Sequence, residues 1–142
     1  MSDDLTGMYQ EVILEHNRAP KNFGALIDAT GSSAGQNPLC GDEVTVWLKI
    51  ENDIVTEASF IGAGCAISKA SASMMTQAIK GKHRSEVEAL FQQFHAMVTG
   101  SAGASLGELG RLKAFSGVAR FPARVKCASL AWHAMHDVLS PK

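Results

Sequence analysis

Cys40-Gly41-Asp42 puts a thiol and a carboxylate two positions apart. On an extended chain such residues share a face, and the glycine between them removes bulk and permits a close approach. Cys65 and Cys127 are the other two cysteines of the chain. Three cysteines are no disulfide framework. In a reducing compartment they are buried hydrophobes, catalytic thiols or metal ligands. A single cysteine is ordinarily just buried, but all three here fall at predicted ends of elements. Cys65 stands between Gly64 and a helix start, and Cys127 in the first turn of another predicted helix. The partial positive charge of a helix N-terminus favours thiolate over thiol. Arg124 and Lys126 place further positive charge beside Cys127 in sequence.

Three thiolates and the Asp42 carboxylate carry a charge of about −4 and are costly to gather without a cation. Zinc accepts such a set in tetrahedral geometry, and thiolates also suit iron in iron–sulfur clusters. Asp42 in place of a fourth thiolate predicts a more labile centre than an all-cysteine site, which fits a site that must open. The spacing alone is not a generic metal pattern, because no CxxC is present. His83, His95, His133 and His136 read as surface or satisfied core positions. His133, six positions after Cys127, keeps a Cys–His hydrolase arrangement open in space.

The elements that must position these groups follow from periodicity. Leu5, Met8, Tyr9, Val12, Ile13 and His16 recur at helical spacing, with Asp3 or Asp4 as cap. That helix ends at Arg18-Ala19-Pro20. Tyr9 and His16 read as core packing or as an edge that docks a partner. A short strand is predicted near Ala25–Ala29. Val44, Val46, Leu48 and Ile50 alternate with Thr45, Trp47, Lys49 and Glu51, a half-buried strand. Asn52-Asp53 is a turn, and Ile54–Ile61 a further strand. A two-residue turn pairs Glu51 with Ile54 and brings Cys40 opposite Cys65. A three-residue turn matches the apolar faces better, sets Val46 against Phe60 and Leu48 against Ala58, and brings Cys40 opposite Ala66. Opposed residues lie roughly 4.5–5.5 Å apart, so either register brings the two thiols to one end of the sheet.

A helix from about Ala66 to Lys80 follows, with Ile67, Ala70, Met74 and Ala78 inside and Gly81 as its stop. Ser85-Glu86-Val87-Glu88 reads as a capping box that opens a helix burying Val87, Leu90, Phe91, Phe94 and Met97, stopped by Gly100. Ser101–Gly117 is a glycine-rich connection holding a short helix around Leu106, Leu109 and Leu112. Pro122 introduces a last helix, about Ala123 to Leu139, with Cys127, Leu130, Ala131, Ala134 and Val138 inside.

The 142 residues suit one domain, 1–142, and 46% hydrophobic with 19% charged residues is an ordinary globular balance. With 13 Lys+Arg against 14 Asp+Glu there is no basic stripe, so no nucleic-acid partner is expected. No apolar run reaches the roughly 18–20 residues of a membrane span. The start, Met1-Ser2-Asp3-Asp4, is unlike a signal peptide, and a cytoplasmic protein is expected.

The flanking residues bring the metal reading into focus. Tyr9–His16, Pro20-Lys21-Asn22-Phe23-Gly24, Asn37-Pro38-Leu39-Cys40-Gly41-Asp42, the stretch from Gly62 to Ser73, Arg124–Leu130 and Trp132 together resemble the iron–sulfur cluster assembly family of IscU, SufU and the NifU N-terminal domain. The resemblance runs in order across nearly the whole chain. It implies an α+β fold, a small three-stranded antiparallel sheet covered by about five helices, with three loops meeting at a metal held by Cys40, Asp42, Cys65 and Cys127. It also implies a pyridoxal-dependent cysteine desulfurase (SufS-like) as sulfur-delivering partner, and downstream iron–sulfur assembly components. The closer likeness is to SufU. Lys126 stands where IscU-type members carry a histidine, and Phe121–Lys126 departs from their chaperone-recognition motif. Leu106 to Arg120 looks like the insertion typical of SufU. Members with these features resemble zinc-dependent sulfurtransferases in which the first cysteine, here Cys40, accepts persulfide sulfur. A scaffold assembling a transient [2Fe–2S] cluster or taking up iron on the same ligands is the alternative. A structural zinc domain with an interaction role is a third.

Overall fold

The computed structural model describes residues 11–38, 41–100 and 109–139. Leu5, Met8, Tyr9, Cys40 and Leu106 lie outside the described residues. Helix α1 runs through residues 11–18 and ends where Pro20 requires. Strands β1 (Gly31–Asn37), β2 (Asp42–Glu51) and β3 (Ile54–Ala63) follow. Then come helices α2 (Ala66–Ile79) and α3 (Arg84–Val98), a 3₁₀ helix (Gly110–Arg120) and α4 (Pro122–Leu139). The sheet is antiparallel in the order β1-β2-β3. The architecture is the α+β arrangement expected from the sequence.

The β2–β3 hairpin contains both predicted registers. Asn52 and Asp53 have φ of 54° and 63°, a primed two-residue turn that matches the twist of the strands. Glu51 therefore faces Ile54 and Ile50 faces Val55. A register shift then falls between Lys49 and Ile50, and beyond it Leu48 faces Ala58 and Val46 faces Phe60. Thr56 is the extra residue of this bulge, and its hydroxyl donates to the Lys49 carbonyl at 3.1 Å. The turn chemistry sets one register, the apolar face sets the other, and the bulge reconciles them.

The first strand is β1, not the predicted segment Ala25–Ala29, which forms turns and irregular chain. Its sequence, Gly-Ser-Ser-Ala-Gly-Gln-Asn, lacks the β-branched and aromatic residues that mark strands. Packing explains it. A Cβ on Gly31 would lie 3.2 Å from Val138, and one on Gly35 3.0 Å from Leu130. Helix α4 thus lies so close to β1 at Gly31 and Gly35 that a side chain there would press on it.

Val44, Val46, Leu48, Val55, Ala58 and Phe60 form the inner sheet face and pack beneath α2 and α4. Trp132 is buried and stacks on Phe94 at 4.3 Å, which joins α4 to α3. The cap of helix α3 lies two residues before the predicted capping box. His83 is the N-cap, its ring accepts from the Ser85 N–H, and Glu86 accepts from the His83 N–H at 2.9 Å. The helix before Pro122 is a 3₁₀ helix of 11 residues, later than the predicted centre of the short helix. Pro122 occupies the first turn of α4, where its missing N–H costs nothing.

His16 fastens α1 to α2. Its Nδ1 lies 2.7 Å from Ser73 Oγ, which also accepts the Lys21 backbone N–H at 2.8 Å. The Ser73 hydroxyl proton is then directed at Nδ1, the arrangement of a neutral imidazole. Burial, and next the charge of Arg111, lower the His16 pKa, against a smaller opposing effect of Glu15. A histidine lowered in the folded state stabilises the fold above its unfolded pKa of about 6.5, and that contribution is lost as pH falls through the folded value. The drop in melting temperature between pH 7.5 and 5.0 is therefore expected to be smaller in His16→Gln than in the parent. His16→Ala, which strips the buried Ser73 hydroxyl of its acceptor, is expected to cost about 1–3 kcal/mol in denaturant unfolding at neutral pH.

Candidate metal centre

Asp42, Cys65 and Cys127 converge where β2 begins, where α2 begins and in the second turn of α4. Their ligand atoms all lie within 4.8 Å of one another. Among the described residues this is the one group of three or more histidine, cysteine, aspartate or glutamate side chains with metal-holding spacing.

Each side chain is set by local structure. Cys65 is the N-cap of α2, with extended backbone, and its sulfur accepts the Ser68 N–H at 3.4 Å. A thiolate here takes the place of the usual serine or aspartate oxygen and meets the positive end of the helix. Asp42 is the first residue of β2 and only 1% exposed. Its Oδ1 accepts the Cys65 backbone N–H at 2.8 Å, which leaves Oδ2 facing Cys65 Sγ at 3.7 Å. In a zinc tetrahedron with Zn–S of about 2.3 Å and Zn–O of about 2.0–2.2 Å, a sulfur and an oxygen ligand stand about 3.5–3.7 Å apart. The Asp42–Cys65 pair already has that edge length. The donor set fits a thiophilic divalent metal, because among the described residues no cationic side chain pairs with the buried carboxylate and two thiols to balance their charge as anions.

Cys127 is buried on the inner side of α4, and its sulfur lies 3.5 Å from the Ala123 carbonyl one turn earlier. It is the sixth residue of that helix, so the predicted first-turn position is corrected, and the helix dipole acts on it less than on Cys65. The cationic neighbours turn elsewhere. Arg124 is exposed and lies over the Phe121 ring at 5.0 Å, and Lys126 is exposed.

Two glycines permit the approach of β2 to α2 for different reasons. Gly64 has φ of 133°, and a Cβ there would overlap the Asp42 carboxylate and lie 2.8 Å from Asp42 Cα. Gly41 has φ of 70° with open space around it, so it is needed for backbone conformation alone.

Asn37 is a further residue of the site, one to which the sequence assigns no role. It is 5% exposed at the end of β1, directly across from Asp42, and its Nδ2 lies 3.7 Å from Cys127 Sγ. The available signal was a polar residue at an inward position of a strand, invisible once that strand is placed at Ala25–Ala29. The histidines stand apart from the thiols. His133 lies against Phe91 and His95, and His136 stacks on Phe91 and bonds Glu88 at 2.7 Å. These contacts favour the satisfied-surface reading over a Cys–His pair.

The chain matches the family described as NifU-like N terminal domain over residues 8–135. It is 43% identical to the zinc-dependent sulfurtransferase SufU of Bacillus subtilis (strain 168), across 93% of this chain and 89% of that protein. It is 38% identical to the iron–sulfur cluster assembly scaffold protein IscU of Streptococcus pyogenes serotype M1, across 95% of this chain and 84% of the relative. A crystal structure of a putative iron–sulfur cluster assembly scaffold protein for the SUF system, from Fervidobacterium Islandicum AW-1, shares the fold with a TM-score of 0.87. It is 32% identical and covers 92% of this chain and 95% of that one. No helix among the described residues is long and apolar enough to cross a membrane.

Gly64→Ala is expected to force Asp42 out of the site. Strain of about 1–3 kcal/mol should appear in denaturant unfolding, together with weakened metal retention against a chelator. Asp42→Ala should keep the fold and also speed metal release. Unchanged release in both variants would show that the carboxylate holds no metal.

Proposed function

The chain belongs to the NifU-like N-terminal domain family, and from that premise we propose that it serves iron–sulfur cluster assembly as a zinc-dependent sulfurtransferase. The convergence of Asp42, Cys65 and Cys127 within 4.8 Å carries this reading. Cys40, outside the described residues, completes the ligand set, since Gly41 alone separates it from Asp42. Zinc at such a site keeps its cysteine ligands in the thiolate form at neutral pH.

The chain's own residues divide the labour. Asp42 and Cys65 are tied to each other through the Cys65 N–H, and Cys65 is fixed by its cap. Cys127 is fixed by α4. Cys40 is the acceptor: its thiolate attacks the outer sulfur of a persulfide on a cysteine desulfurase. The new S–S bond forms at Cys40 as the donor's S–S bond breaks, and the donor cysteine leaves as a thiolate. The exchange needs no external oxidant. The exposed Lys126 beside Cys127 supports a transfer role over cluster building, because a protonated lysine is a poor ligand for an opened site. The protein works in the cytoplasm, with downstream iron–sulfur assembly components as takers of the sulfur.

Purified protein is expected to carry about one zinc per chain, and Cys40→Ser, Cys65→Ser and Cys127→Ser each to lower occupancy and stability together. Metal binding at such centres supplies roughly 10–16 kcal/mol, more than the whole stability of a typical domain. Incubation with a cysteine desulfurase and cysteine should add sulfur to the peptide holding Cys40 and raise desulfurase turnover. Sulfur on Cys127 alone, or efficient [2Fe–2S] assembly without desulfurase stimulation, would favour the scaffold reading.

A further inference from the structure

We infer that Asn37 is a positioning residue of the metal centre, whose side-chain amide donates an N–H to Cys127 Sγ and makes that sulfur a ligand retained when the site opens. The inference rests on the metal reading above and deepens it. Asn37 and Asp42 are opposed at the last pair of the β1–β2 ladder. Opposed residues share a face, and both side chains are buried on the side where α2 and α4 begin. From this one rung the carboxylate of Asp42 reaches toward Cys65, and the amide of Asn37 reaches 3.7 Å to Cys127. Sulfur hydrogen bonds are long, so this distance is a bonding one.

The chemistry at Cys127 gives the bond its direction. As a thiol, Cys127 can donate to the Ala123 carbonyl 3.5 Å away. As a thiolate it has no proton to give, and that carbonyl turns into an unfavourable neighbour. An N–H donor on another side of the sulfur then offsets the carbonyl and stabilises the charged form. Cys65 receives the same service from the Ser68 N–H at the start of α2, but Cys127, in the second turn of α4, is beyond the unsatisfied backbone donors of its helix. Asn37 supplies by side chain what Cys65 gets from backbone. Outer groups that hydrogen-bond a ligand commonly change metal affinity about 10–100-fold.

The test compares full-length wild type, Asn37→Leu (similar volume, no donor), Asn37→Asp (same shape, acceptor in place of donor) and Asn37→Gln. Far-ultraviolet dichroism of the loaded proteins reports the fold. Zinc transfer to a chromogenic chelator is timed, and the cobalt(II)-substituted proteins are read by their thiolate-to-metal charge-transfer band. Iodoacetamide labelling during chelator challenge ranks Cys65 and Cys127. Zinc release is expected about 10–100-fold faster in Asn37→Leu and Asn37→Asp, with a shifted charge-transfer band, partial recovery in Asn37→Gln, and Cys127 moving from late to early labelling. Folded Asn37→Leu and Asn37→Asp with wild-type release, band position and labelling order would overturn the inference while leaving the metal centre intact. Wild type that takes up neither zinc nor cobalt(II) with a thiolate band would overturn the metal reading and this inference with it. If Asn37→Leu does not fold, Asn37→Asp, which keeps the side-chain shape, decides.

Discussion

A carboxylate that is 1% exposed cannot be left without compensation, and both oxygens of Asp42 take theirs from Cys65. One oxygen accepts the Cys65 N–H at 2.8 Å. The other accepts from the Cys65 thiol at 3.7 Å. With Cys65 as a thiolate that second bond is gone, and two buried anions side by side are costly without a cation. The same contact is the link between the start of β2 and the start of α2, so the cost cannot be relieved by swinging the side chain away without parting the two elements. Gly64 has no side chain because that carboxylate lies where its Cβ would be. The site and the junction of sheet and helix are thus one construction, and a cation that satisfies Oδ2 stabilises both.

The two sulfurs belong to a stiffer frame. Ser71 of α2 donates to the Ala128 carbonyl of α4 at 2.6 Å and accepts the Trp132 indole N–H at 3.2 Å. Ala128 is the residue after Cys127, so the bond fixes the helix turn that carries the thiol. Ser71, Ala128 and Trp132 are all buried, and neutral groups satisfied in a dry interior hold their geometry well. Cys65 at the head of α2 and Cys127 on α4 are therefore spaced by helix packing, whereas Asp42 is spaced by the sheet. Ligands from separately anchored elements require that the whole core be assembled before they meet.

Much of this was legible in the sequence, and the parts that were not share a cause. The hairpin could be read because Asn52-Asp53 and the alternation of Val44 to Ile50 are local signals. Its bulge could be suspected only as a conflict between two registers. Strand β1 was misplaced because its identity comes from the nearness of Val138 and Leu130, residues a hundred positions away in the chain rather than in its own window. The cap of α3 shifted from Ser85 to His83 because the β-bridge between His83 and Ile54 draws His83 into extended backbone before the helix starts. Asp42, Cys65 and Cys127 could be grouped by their chemistry, which sequence displays. Asn37 could not, because nothing about an asparagine states which atom it will face.

The distribution of backbone freedom around the site bears on which ligand is exchanged. Cys127 is held within a helix and Cys65 at a helix cap, where moving the sulfur means breaking the Ser68 N–H contact and fraying the first turn. Asp42 is held by the ladder and by the Cys65 N–H. Either described sulfur moves only with its helix. Gly41 has φ of 70°, and among the described residues nothing lies within 4 Å of where its Cβ would be. Cys40 precedes that glycine in sequence. The fixing of Cys65 and Cys127 by their helices accords with the proposal that Cys40 is the sulfur acceptor, without any appeal to a difference in the intrinsic reactivity of the thiols.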